Sequence, residues 1–109
     1  EPCSSAGRPC KFGTRAGCAP GRLRLLPPLL EGAIATTCVA DTRRQHGGEW
    51  QSPLVDPRSG RGLGLADSVT VLARTCLVAD ALTKPVALDS AGCEPVLRRL
   101  RARALRLPA

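Results

Sequence analysis

Six cysteines in 109 residues (Cys3, Cys10, Cys18, Cys38, Cys76 and Cys93) constrain this chain more than any other feature. An even number of thiols in a short chain reads as a disulfide framework made in an oxidising compartment. The expected location is therefore secreted or extracellular. Six cysteines allow 15 pairings, and spacing alone selects none of them. The closest thiols have six and seven residues between them. That is too wide for the close-set pairs of a structural zinc site, so no metal or other cofactor is expected.

The apolar content explains why such a chain would need covalent staples. There is one Phe (Phe12), one Trp (Trp50), one Ile (Ile34) and no Tyr, so a core must be built from Leu, Val and Ala. Small side chains bury little area each, at about 25 cal/mol per Å². Each disulfide typically adds about 2–4 kcal/mol. The longest apolar run is about four residues, whereas a membrane-crossing helix needs roughly 20, so no transmembrane segment is expected. The chain opens at Glu1 and contains no Met, as a precursor trimmed by a signal peptidase would.

Local patterns divide the chain into three. Residues 1–22 hold three cysteines among Gly and Pro and show no period; they read as an irregular, cysteine-pinned segment. Residues 23–93 read as a β-rich body. Arg22 to Leu26 alternates polar and apolar residues. Gly32 to Asp41 is β-branched and places Ile34, Thr36 and Cys38 on one face. Gly47-Gly48 marks a turn, a short strand is expected around Trp50, and residues 56–64 form a loop. Leu65 to Ala79 carries the strongest strand pattern, and Lys84 to Leu88 suggests a further edge strand. In residues 94–109, Val96, Leu97, Leu100, Ala104 and Leu107 share one arc of a helical wheel. Arg98, Arg99, Arg101, Arg103 and Arg106 fill the remainder, which predicts a basic amphipathic helix. The expected fold is mainly β: a small disulfide-stapled antiparallel β-sandwich with that helix at its C-terminus.

Two resemblances bear on the sandwich. Cys38, Trp50 and Cys76 follow the order Cys…Trp…Cys, and at these residues the chain resembles an immunoglobulin-like domain. That likeness implies a Cys38–Cys76 bridge between sheets with Trp50 packed on it, although Arg74 stands where the family carries Tyr. Residues 10–38, with two early cysteines followed by Leu-Leu-Glu-Gly-Ala-Ile-Ala-Thr-Thr-Cys, are similar to the opening of Ole e 1-like extracellular domains. Those domains are also disulfide-linked sandwiches. In this chain the early cysteines, Cys10 and Cys18, have seven residues between them instead of being close-set.

The net charge of +7 is concentrated at one end. Without the five arginines from Arg98 to Arg106, 11 basic residues face 9 acidic ones. Guanidiniums bind carboxylates, sulfates and phosphates bidentately, so these five are the candidate anion-binding residues. His46, the only histidine, sits in a charged loop with no evident partner for base catalysis. Gly60-Arg61-Gly62-Leu63-Gly64 lacks the end of a dinucleotide fingerprint. No enzyme is expected. The leading expectation is a non-catalytic domain that binds an extracellular protein or an acidic glycan. Self-assembly into a fibre or matrix, and a cationic host-defence or toxin-like role, are the alternatives. The cysteines and the scarcity of base-stacking aromatics argue against nucleic acid.

Overall fold

The computed structural model describes residues 11–15, 23–26, 28–29, 31–38, 43–63 and 68–107. In chain order the elements are β1 (Gly13–Arg15), β2 (Leu23–Leu25), β3 (Ala33–Cys38), β4 (Arg44–His46), β5 (Glu49–Gln51), β6 (Val55–Asp56), β7 (Arg61–Gly62) and β8 (Ser68–Ala73). They continue with α1 (Cys76–Leu88), α2 (Ser90–Arg99) and β9 (Arg103–Leu107). The architecture is mixed: antiparallel sheets plus two helices.

The centre is a three-stranded antiparallel sheet in the order β3-β8-β9. Alternation along β8 sorts its side chains between two faces. Val69, Val71 and Ala73 meet Ala79, Leu82, Val86 and Ala87 of α1 and Leu97 of α2 in one hydrophobic cluster. Ser68, Thr70 and Leu72 point the other way. Neighbouring threonines of β3 follow the same rule. Thr37 donates a hydrogen bond to Thr83 of α1 at 2.9 Å. The Thr36 and Thr70 hydroxyls meet at 2.8 Å on the opposite face.

Helices, not a second sheet, cover the apolar face, so the expected sandwich gives way to a sheet-and-helix layer. The other strands pair locally as β1–β2, β4–β5 and β6–β7. The β4–β5 hairpin turns at Gly47-Gly48, where both residues have positive φ (58° and 83°), as a type I′ turn requires. The β6–β7 hairpin is closed by Asp56, whose carbonyl accepts from the Gly60 amide at 2.7 Å.

Three expected elements are replaced. Among the described residues of the strand expected from Leu65 to Ala79, Ser68–Ala73 is strand. Thr75 then caps a helix, its hydroxyl accepting from the Val78 amide at 3.3 Å. The edge strand at Lys84 to Leu88 is part of α1, whose buried residues Ala79, Leu82, Thr83, Val86 and Ala87 recur at helical spacing. The C-terminal helix over 94–109 is replaced by α2, which starts earlier, and by β9.

The helix stop is specific. The Ala102 amide donates to the Leu97 carbonyl at 2.8 Å, and the Arg101 amide donates to the Arg98 carbonyl at 3.1 Å. Arg101 has φ 52°. This is a Schellman motif with arginine in the left-handed position where glycine is usual, and buried Ala102 packs with Leu97 in the core. The chain then turns into β9, the third strand.

Cys38, Cys76 and Cys93 are free thiols. The Cys38–Cys76 bridge is therefore not formed, and Trp50 is 57% exposed on its hairpin. The disulfide-stapled body expected for these three residues is corrected accordingly: they sit at the end of β3, at the start of α1 and in α2. Cys3, Cys10 and Cys18, with most of the cysteine-pinned segment 1–22, lie outside the described residues. No helix among the described residues is long and apolar enough to cross a membrane.

Candidate anion-binding groove

The five candidate arginines are dispersed by the fold. Arg98 and Arg99 lie in the last turn of α2, where cations suit the helix dipole. Arg98 Nε also reaches Glu94 Oε1 at 3.3 Å, an exposed pair one helical turn apart. Arg101 occupies the turn. Arg103 and Arg106 lie three residues apart on β9, so their side chains leave opposite faces of the sheet. A single face carrying five guanidiniums does not exist.

Two of the five come together with a third arginine that the sequence pattern does not single out. On the sheet face away from the helices lies a groove of about 470 Å³. Its floor is aliphatic: Leu26 and Leu29 from the segment before β3, Leu72 of β8 and Leu105 of β9. Its rim carries Arg74, Arg101, Arg103 and one acid, Glu31.

Sheet register explains the meeting. Leu72 is the cross-strand partner of Arg103, and Thr70 is that of Leu105, so these four share a face. Arg74 follows Leu72 by two residues, and Arg101 precedes Arg103 by two. The cationic end of the groove thus lies where β8 leaves the sheet and β9 enters it. Close approach of the chain also shapes that end. Gly32 has φ 130°, and a Cβ placed there would stand 2.8 Å from the Ala73 carbonyl oxygen, so only glycine fits.

The electrostatics are unbalanced in favour of an anion. Arg74 and Arg103 are exposed, as is Arg101. Among the described residues none of the three makes an ion pair; the pairs present are Arg58–Asp56, Lys84–Asp80 and Arg98–Glu94. Among the described residues the rim thus offers three guanidiniums against a single carboxylate.

The other polar features are local. In the β6–β7 turn the Arg58 guanidinium and then the Arg58 backbone amide hold the Asp56 carboxyl below its ordinary value of 3.8, and Asp56 raises Arg58 in turn. His46 is exposed on the β4–β5 hairpin. The Arg43 guanidinium lies over the Trp50 ring, its Cζ 5.6 Å from the centroid, and its buried Nε has no hydrogen-bond partner among the described residues.

Arg74 escaped sequence reasoning because it stood inside the expected long strand. The one available signal was its position directly before Thr75, a residue suited to start a helix. Comparison with known proteins finds no matching family model, no similar curated sequence and no similar solved structure.

Proposed function

We propose that this chain is a non-catalytic binding domain whose partner presents acidic groups beside an apolar surface, and that the groove of Arg74, Arg101 and Arg103 is where it binds. The observation that carries this reading is the meeting of three exposed guanidiniums, none ion-paired among the described residues, above an aliphatic floor. Guanidiniums on a half-dry surface bind carboxylates more strongly than in open water. An aliphatic floor rewards a partner with aliphatic side chains. The described lining holds no aromatic residue on which a sugar or a base would stack, which favours a protein over an acidic glycan. A net charge of +7 and an arginine rim oppose a second copy of the chain. The proposal does not depend on compartment, because no cysteine is among the described residues that line the groove.

Titration of the full chain with an acidic, Leu-containing peptide at low and high salt tests the reading. Binding should weaken with salt and fall about tenfold in an Arg74→Gln/Arg103→Gln variant, while Arg98→Gln/Arg99→Gln changes it less than about twofold. Equal loss in both variants would show diffuse charge attraction, and the groove assignment would fall.

A further inference from the structure

The order of side chains along the groove says how a partner would lie in it. Resting on the groove reading above, we infer that the occupant is an extended protein segment with two acidic residues and one aliphatic residue at alternate positions.

Three successive levels run along the groove. At the open end are Arg74 and Arg101. Next is the cross-strand pair Leu72 and Arg103. Next is Leu105, opposite Thr70. The Leu72–Arg103 and Leu105 levels are two residues apart along β8 and β9, about 6.7 Å in a strand, and Arg74 and Arg101 follow just beyond the ends of those strands. An extended chain lying over this face repeats its same-side residues at the same distance. A carboxylate over Arg74 and Arg101 and a second over Arg103 then place the following same-side residue over Leu105. That residue is aliphatic, because Leu105 with Leu26 and Leu29 offers only apolar contact. A helical segment repeats its faces every three or four residues and misses the levels. Charge selects the occupant: three cations stand against Glu31, and a second copy of a +7 chain brings the wrong sign.

Two peptides of one composition separate this inference from its premise: Glu-Thr-Glu-Thr-Leu-Thr, with the required alternation, and Glu-Glu-Leu-Thr-Thr-Thr, without it. Each is titrated into the full chain, into Arg103→Gln and into Leu105→Thr, with folding of the variants checked by circular dichroism. The alternating peptide should bind at least about fivefold more tightly than its isomer, and either variant should abolish that preference. Equal binding of the two isomers, both weakened by Arg103→Gln, overturns the inference and leaves the groove reading standing. Binding of a heparin-like glycan without binding of either peptide overturns it too and assigns the groove to a polysaccharide. Absence of binding by all three probes sinks the groove reading and this inference with it.

Discussion

Thr37 of β3 donates to Thr83 of α1 at 2.9 Å, and Thr83 in turn donates to the Asp80 carbonyl at 2.8 Å. Thr83 is fully buried, so this chain of two bonds fixes helix against sheet inside an otherwise apolar layer. Thr83→Val keeps the shape and removes both bonds, leaving the Thr37 hydroxyl without its acceptor. A loss of about 1–2 kcal/mol is expected in denaturant unfolding. Combined with Thr37→Val, the two effects should be clearly less than additive, since both remove one contact.

Gly32 and Gly47 separate two reasons for glycine. Both have positive φ, but a Cβ at Gly47 meets nothing within 4 Å, whereas one at Gly32 runs into the Ala73 carbonyl. Gly47→Ala should cost about 1–2 kcal/mol from backbone conformation alone. Gly32→Ala should cost more, about 2–4 kcal/mol, because the strand entry must also shift. Thermal unfolding of the two variants side by side checks the ordering; equal losses would remove the steric argument.

Arg101 predicts a conflict between stability and binding. Its left-handed backbone suits glycine, so Arg101→Gly should stabilise the fold by about 0.5–1 kcal/mol. The same change removes a rim cation and should weaken binding of an acidic peptide severalfold. A variant that is less stable, or that binds unchanged, would contradict the placement of this residue.

Asp56 supplies a pH dependence. Its carboxyl is held below 3.8 in the folded turn by Arg58. A carboxylate with a lowered folded value contributes stability above its unfolded value and loses it as pH falls through the folded one. The β6–β7 turn should therefore be intact at neutral pH and loosen only below about pH 4, and Asp56→Asn should flatten that response. Chemical shifts of the Gly60 amide, which donates to the Asp56 carbonyl, report it directly.

The thiols of the three described cysteines should be assignable by labelling. Cys76 is exposed, while Cys38 and Cys93 are half-buried. Alkylation of the native protein should label Cys76 first and the other two on unfolding, without reductant. A Cys38–Cys76 bridge in a non-reducing mass map would contradict the structure.

Periodicity and turn residues were the legible part of this fold. β2, β3 and the hairpin at Gly47-Gly48 lie where alternation and paired glycines place them. The helices were not legible for a physical reason. Val69, Val71, Thr75 and Val78 give β-branched character across a boundary that only the Thr75 cap marks, and Pro85 suggested a break inside α1. The arginine run misled differently. A wheel drawn over residues 94–109 groups Val96 and Leu100 with the apolar arc, yet both are exposed. The two-residue alternation of Arg103, Leu105 and Leu107 was hidden beneath it. A left-handed arginine carries no signature in sequence, so the stop at Arg101 was invisible. Of the site, Arg101 and Arg103 were named in advance, whereas Arg74 required the register of β8 against β9.

The bond between Thr36 and Thr70 spans 34 residues, and the whole of β4 to β7 lies within that span. Those hairpins form from near neighbours, on the order of microseconds each. The central strands must then find each other across a loop that the hairpins have already shortened, at a smaller entropic cost than a bare chain would meet. The excursion thus acts as a tether between the two central strands. Lengthening it at the exposed Gly47-Gly48 tip should leave the assembly rate nearly unchanged, whereas opening either hairpin should slow it.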